Sequence, residues 1–398
     1  MPARCKRRRR RPRRLCHFGA KHRRSRIDTP ESRPHPPIML DASCAMRKTP
    51  PGEDAAIVPL MVDRWRLNGS LQPITASQVR MYGFVFRVDR ERIVQLCDRY
   101  LNIGHSTVHY EPPEHVPLTL DPVAPAESPS KTGIVIITFA HIGQLRSHAP
   151  YDDVGWTTET EATFWMLTTA HDERSGEQRR TWFVPYIFVD LPIAISMGRE
   201  IYGYPKEIGW FKEDDKFAWK QHPADGGHAD EFTLDAFAVE RFDDRQFARR
   251  RVMTLTRRRE APLEVLGAAW NTLQDATRAL KDEFLNAHPL RDVVQDVEDL
   301  WPPHVTAVLL KQIPHPAASR FATHQAVIEA RQQVDLSTFA GGGWLNGAYR
   351  LDLASLQSHP ISDDLGLATG DEGRGYWMDF DFVLQPGRQI WAISGDVS

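Results

Sequence analysis

The sequence predicts a β-rich α+β protein, an antiparallel β-barrel or sandwich that carries one helical insertion. Three observations lead there. Short runs rich in β-branched and aromatic residues recur along the chain, separated by long loops. In the run Tyr376 to Leu384, the apolar Met378, Phe380, Phe382 and Leu384 alternate with Asp379 and Asp381, the two-residue period of a strand with one face buried. One stretch breaks this pattern, because Leu266, Trp270, Leu273, Leu280 and Phe284 recur at helical spacing.

Taken in order, the chain opens on a basic head. Residues 1 to 27 hold 13 Lys and Arg and no acid, which leaves 37 basic against 52 acidic residues, a net of −15, in the remainder. No apolar core follows these charges, so the head is not a secretory signal, and it lacks the interleaved aromatics of a single-strand stacking surface. Residues 1 to 55 are rich in Pro, Ser and charge and read as a disordered tail, either a non-functional one or a mis-assigned start with the initiator at Met39 or Met46. The globular part is expected over residues 65 to 398. At 41% hydrophobic and 26% charged residues, the 398-residue chain is able to bury a large core.

Met81 to Val88 is predicted as the first strand. Behind Asp89 as N-cap, Ile93, Leu96, Cys97, Tyr100 and Leu101 then follow a helix period. A Pro-rich connector spans Pro112 to Pro129. Further strands are predicted at Gly133 to Ile142, Ala162 to Thr168, Phe183 to Asp190, Glu231 to Val239, Arg251 to Thr256, Thr306 to Ile313 and Tyr376 to Leu384. The helical insertion falls at about 262 to 300. The run Gly341 to Gly343 precedes Trp344 and reads as tight backbone, not as a phosphate loop.

Three of the four cysteines (Cys5, Cys16, Cys44) lie in the head and the fourth is Cys97, so no disulfide framework is expected and a reducing, cytoplasmic setting fits. The longest apolar stretch, Phe183 to Met197, is broken by Asp190 and two prolines, and no membrane or nucleic-acid partner is expected. The histidines have no metal-ligand spacing, and no metal site is expected.

The chemistry concentrates in Gly198 to Gly209, Gly-Arg-Glu-Ile-Tyr-Gly-Tyr-Pro-Lys-Glu-Ile-Gly, centred on Lys206. A lysine is a nucleophile only as the free amine, and with an ordinary pKa about 0.04% is free at neutral pH. Ile201, Tyr202, Tyr204, Ile208 and Trp210 offer an apolar envelope that would favour the neutral form. Pro205 fixes the backbone before Lys206, and Gly198, Gly203 and Gly209 permit turns. On the residues alone the segment equally reads as a solvated turn with Lys206 in water.

The longer run Phe183 to Lys206, Phe-Val-Pro-Tyr-Ile-Phe-Val-Asp-Leu-Pro-Ile-Ala-Ile-Ser-Met-Gly-Arg-Glu-Ile-Tyr-Gly-Tyr-Pro-Lys, resembles the signature of the acetoacetate decarboxylase family. Weaker likenesses lie in Phe86-Arg-Val-Asp and in Val308-Leu-Leu-Lys-Gln-Ile-Pro-His, and the resemblance covers roughly residues 75 to 395. It implies an acetoacetate decarboxylase-like antiparallel β-barrel or double barrel, a funnel-shaped cavity with Lys206 at its base, a homo-oligomer, and no cofactor or metal. In that family the lysine of the Pro-Lys pair forms a Schiff base with a keto acid. Acetoacetate decarboxylase is itself the standard instance of a lysine activated by desolvation or a neighbouring cation, so that mechanism enters here with the resemblance.

The resemblance also implies the site residues. Gly155-Trp-Thr-Thr-Glu159 matches the run that carries a family glutamate, which makes Glu159 the acid/base candidate with Glu161 next in line; on the residues alone either is also a solvated strand end. A second family glutamate falls near Thr138, where this chain has no acid. Arg80 is the candidate to hold a substrate carboxylate, and Tyr204 a further substrate-binding candidate. Glu207 departs from the family, whose decarboxylases carry a second lysine there, although strand alternation would turn it away from Lys206. The expected function is a lyase that decarboxylates acetoacetate or a related small β-keto acid through Lys206. The alternatives are an aldolase or dehydratase acting on a 2-oxo acid through the same imine, and a non-catalytic barrel that binds a small ligand.

Overall fold

The computed structural model describes residues 72–114, 131–149, 151–152, 155–211, 230–243, 246–258 and 304–395. The basic head, most of the Pro-rich connector and the expected helical insertion at about 262–300 lie outside the described residues. Thirteen strands are described: β1 Ile74–Asp89, β2 Val108–Glu111, β3 Thr132–Ser147, β4 Trp156–Asp172, β5 Gln178–Val189, β6 Lys206–Phe211, β7 Glu231–Ala238, β8 Ala248–Arg258, β9 His304–His315, β10 Ala318–Asp335, β11 Gly341–Leu353, β12 Glu372–Leu384 and β13 Arg388–Ser394. Three short helices, α1 Arg90–Tyr100, α2 Pro192–Met197 and α3 Ile361–Leu365, interrupt them.

The strands form one sheet in the order β13-β10-β9-β5-β6-β7-β8-β11-β12-β1-β3-β4-β2, and the further pairings β4–β5 and β10–β12 close it on itself twice. The first closure makes a nine-strand ring, β1-β3-β4-β5-β6-β7-β8-β11-β12; the second makes a seven-strand ring, β1-β3-β4-β5-β9-β10-β12. Most pairs are antiparallel, while β5 runs parallel to both β6 and β9. Two rings that share a wall are the double barrel expected from the resemblance.

The shared wall explains the sequence. A strand between two interiors is buried on both faces and reads as a nearly continuous apolar run. On β1, Tyr82, Phe84 and Phe86 belong to one core, whereas Ala76, Val79, Met81 and Val85 belong to the other. β3 divides likewise, with Val135, Ile137 and Phe139 on one side and Ile134, Ile136 and Ala140 on the other. The first core is aromatic, with Phe232 packed against Tyr82, Phe84 and Phe139 at centroid distances of 4.9–5.1 Å. Such a wall also accounts for Asp379, which alternation would put in water: it is buried, because β12 has an interior on each side.

α1 starts as the sequence indicates. The Asp89 side chain accepts from the Glu91 N–H at 3.0 Å, and Ile93, Leu96 and Cys97 bury one stripe. Every predicted strand lies on an observed one, generally longer. The list of predicted strands leaves out β2, β6, β10, β11 and β13, and β11 begins at the glycine run read as tight backbone. Among the described residues no helix is long and apolar enough to cross a membrane.

Candidate active site

The site is built on the second core, where α2 leads into β6. After Met197 the chain widens into a single π-helical turn, Gly198–Tyr202, a local form common at functional sites. Gly203 ends it with φ of +86°, and both its N–H and that of Tyr204 donate to the Gly198 carbonyl at 3.0 Å. A Cβ on Gly203 would lie 2.7 Å from the backbone N and Cα of Lys311 on β9, so glycine is required by conformation and by space. Pro205 then centres a three-residue turn, closed by the Lys206 N–H donating to the Tyr204 carbonyl at 2.7 Å. Lys206 enters β6 opposite Ile187 of β5. Its stem passes over Gly198, where a Cβ would come within 2.7 Å of the lysine Cδ.

β4 supplies the carboxylates. Glu159 and Glu161 are two residues apart on one strand, so they point the same way. The strand is fixed beside the end of β5 by Asp190, whose carboxylate accepts from the Thr160 N–H at 2.7 Å and whose own N–H donates to the Thr160 carbonyl at 3.0 Å. Lys206 Nζ donates to Glu159 Oε1 at 2.5 Å and stands 4.0 Å from Glu161 Oε2. The Tyr204 ring centroid lies 6.0 Å from Nζ, and the Tyr204 hydroxyl is 3.5 Å from Gln332 Nε2. Lys206, Glu159, Glu161 and Tyr204 all line one cavity of about 780 Å³, its mouth included. The sequence thus names four residues that the fold brings together.

The electrostatics correct one expectation. Burial is the largest influence on Lys206 and pulls its pKa down, but the charges of Glu159 and Glu161 and the hydrogen bond to Glu159 together outweigh it, and the net shift is upward. The resting lysine is an ammonium, not the free amine that an apolar envelope alone would favour. Glu161 moves strongly as well. Burial raises it most, the Lys206 charge opposes, the Glu159 charge adds, and its pKa is pushed up to about 7. The envelope itself differs from expectation in part: Ile201, Tyr202 and Tyr204 line the cavity, but Trp210 packs edge-on to Phe237 at 4.7 Å, with Arg249 over its face at 5.2 Å.

Arg80 is placed elsewhere. Its guanidinium grips Asp379 bidentately, Nε to Oδ1 at 2.8 Å and one terminal nitrogen to Oδ2 at 2.6 Å, and it is absent from the cavity lining. A bulge in β1 between Ala76 and Val79 causes this. Gln78 takes φ of +56°, the phase shifts by one, and Val79 rather than Arg80 faces the second core. Glu207 faces away from Lys206, half exposed, with Oε2 at 2.8 Å from His359 Nε2; His359 Nδ1 in turn lies 2.9 Å from Ser358 Oγ. Thr138, at the position of the missing family glutamate, is buried and accepts from Trp165 Nε1 at 3.0 Å. Trp165 and Gln332 line the cavity without having been singled out from the sequence; neither sits in a motif, and Gln332 lies on the unforeseen β10. Among the described residues no group of three or more His, Cys, Asp or Glu is arranged to hold a metal ion.

No family model matches the chain, and no curated protein matches it. Solved structures do. An acetoacetate decarboxylase from Legionella pneumophila is 14% identical with a TM-score of 0.46, covering 85% of this chain and 94% of its own. The enduracididine biosynthesis enzyme MppR complexed with pyruvate is 16% identical with a TM-score of 0.42, covering 86% of this chain and 95% of its own. An acetoacetate decarboxylase-like enzyme from Sphingomonas wittichii is 12% identical with a TM-score of 0.43, covering 82% and 96%. The solved structures to which the chain is similar thus include acetoacetate decarboxylases and an acetoacetate decarboxylase-like enzyme.

Proposed function

We propose that the protein is a Schiff-base-forming lyase that decarboxylates a β-keto acid through Lys206. The observation that supports this reading is a largely buried lysine whose amine stands 2.5 Å from one carboxylate and 4.0 Å from a second, all three lining a mostly apolar cavity. An ammonium cannot attack a carbonyl, so the proton must leave first. Glu159 is in direct contact to take it, and an entering substrate that expels water favours the neutral amine and acid over the ion pair. The Nζ lone pair then adds to the ketone carbon. A carboxylic acid protonates the resulting hydroxyl, water departs, and an iminium remains. The bond to the carboxylate carbon breaks, its electron pair moves into the iminium, and carbon dioxide leaves an enamine. Protonation at carbon and addition of water then return the ketone and the amine.

A second reading, aldol condensation and dehydration through the same imine, draws support from Glu161. With a pKa pushed up to about 7, it exists in both protonation states near neutrality, as a group must that takes a proton from carbon and later gives one to a departing hydroxyl. Borohydride reduction in the presence of a keto acid tests both readings. A stable adduct on Lys206, lost in Lys206→Ala, is expected; evolved carbon dioxide then identifies decarboxylation, and an enone product identifies the second reaction. Equal labelling of Lys206→Ala would refute both and leave a ligand-binding barrel.

A further inference from the structure

Resting on the imine reading, the walls of the cavity identify the class of carbonyl compound. The charged groups cluster, with Lys206 Nζ 2.5 Å from Glu159 and 4.0 Å from Glu161. Apart from these, Thr157 and Gln332, the lining is aliphatic and aromatic. Leu145 of β3, Leu191 ahead of α2, Ile201 of the π-helical turn, and Phe382 and Leu384 of β12 all line it, and all five pack on the second core while staying only partly buried. They come from four separate parts of the chain and present apolar surface to one space. Partly wet apolar side chains that converge on a concavity are the signature of an apolar ligand group.

A three- or four-carbon keto acid does not use this surface. Acetoacetate has a single methyl group beyond its carbonyl, too little apolar surface to cover five such side chains. We infer that the substrate of Lys206 carries an extended apolar chain of roughly four to eight carbons on its carbonyl, seated along Leu145, Leu191, Ile201, Phe382 and Leu384. The chain supplies the binding free energy, and it expels the water that holds Lys206 in its ion pair.

Borohydride trapping over a homologous series tests this. Acetoacetate, 3-oxohexanoate and 3-oxooctanoate are compared by the concentration that half-saturates adduct formation on Lys206, read by intact mass and peptide mapping. Complete burial of one methylene is worth about 4-fold, so each added pair should lower that concentration by about 5- to 15-fold. Leu145→Ser should make the series shallower. Half-saturation that stays within about 2-fold across the series, or that rises with length, overturns the inference and leaves the imine standing. No Lys206 adduct with any member overturns the imine, and the inference with it.

Discussion

Glu159→Gln separates the two roles that the structure gives to one carboxylate: it holds the lysine charged, and it takes the lysine's proton. Opposite charges about 4 Å apart near a protein surface interact by about 4 kcal/mol. The 2.5 Å contact is closer, but Lys206 keeps 12% of its side chain exposed, and about half of that figure is a fair discount for solvent. Loss of ~2–3 kcal/mol corresponds to a fall of roughly 2 pKa units. In the variant, burial acts on Lys206 against Glu161 alone, so the lysine should titrate well below its wild-type value. Cyanoborohydride trapping from pH 6 to 12, followed by mass spectrometry, should show the midpoint of adduct formation move down by about 2 units, with faster labelling at pH 7. Steady-state turnover should nevertheless fall by roughly 100-fold, because the group that relays protons is gone. A midpoint that stays put or rises would refute the account of the ion pair. Near-normal turnover would transfer the proton work to Glu161.

Three further outcomes follow from the same geometry. Glu161 holds its proton more tightly folded than unfolded, so what it contributes is fully present below its unfolded pKa and is lost as pH rises from about 4.5 to about 7; Glu161→Gln should therefore gain thermal stability relative to wild type across that window and no more above it, and parallel melting profiles would contradict the shift. Arg80→Ala leaves the Asp379 carboxylate, 12% exposed, without its bidentate partner and should cost about 3–5 kcal/mol in denaturant melts; a large rise in KM with unchanged stability would instead return Arg80 to the substrate. Glu207→Lys changes a half-exposed side chain that points at His359, so the pH midpoint of trapping on Lys206 should move by only a few tenths, and a shift of a full unit would mean that the two side chains share a face.

How far the sequence carries can be judged at particular residues. Eight strands announce themselves because their apolar runs face one interior or two. β10 does not, since it spends its polar residues inward: Glu329 is buried and accepts from Tyr110 at 3.0 Å and from Arg179 and Arg388, so a position that reads as solvent is part of the interior. β11 hides behind Gly341 to Gly343, a composition that strands ordinarily avoid. At the site, Lys206, Glu159, Glu161 and Tyr204 are named in advance through the resemblance, Lys206 by the Pro-Lys run and Glu159 by the run Gly155-Trp-Thr-Thr-Glu159. The sign of the lysine's pKa shift is not, for it is decided by a distance between strands. Arg80 misleads for a local reason. One extra residue in β1, at Gln78, exchanges the two faces of the strand, and nothing in the run Thr75-Ala-Ser-Gln-Val-Arg signals a bulge.

The pairing of β1 with β12 sets the order in which the cavity can come into being. Ile74 pairs with Leu384, near opposite ends of the described chain, and both line the cavity. Both closed rings run through this contact. During synthesis, a nascent chain that has emerged only through β11 has neither ring closed and lacks Phe382 and Leu384, so the cavity that Lys206 lines is still open to water. The lysine and its glutamates are made early, and their dry surroundings are completed last. Contacts between segments so distant in sequence form slowly and leave apolar strand faces exposed meanwhile, which makes the interval before β12 docks the one most exposed to aggregation.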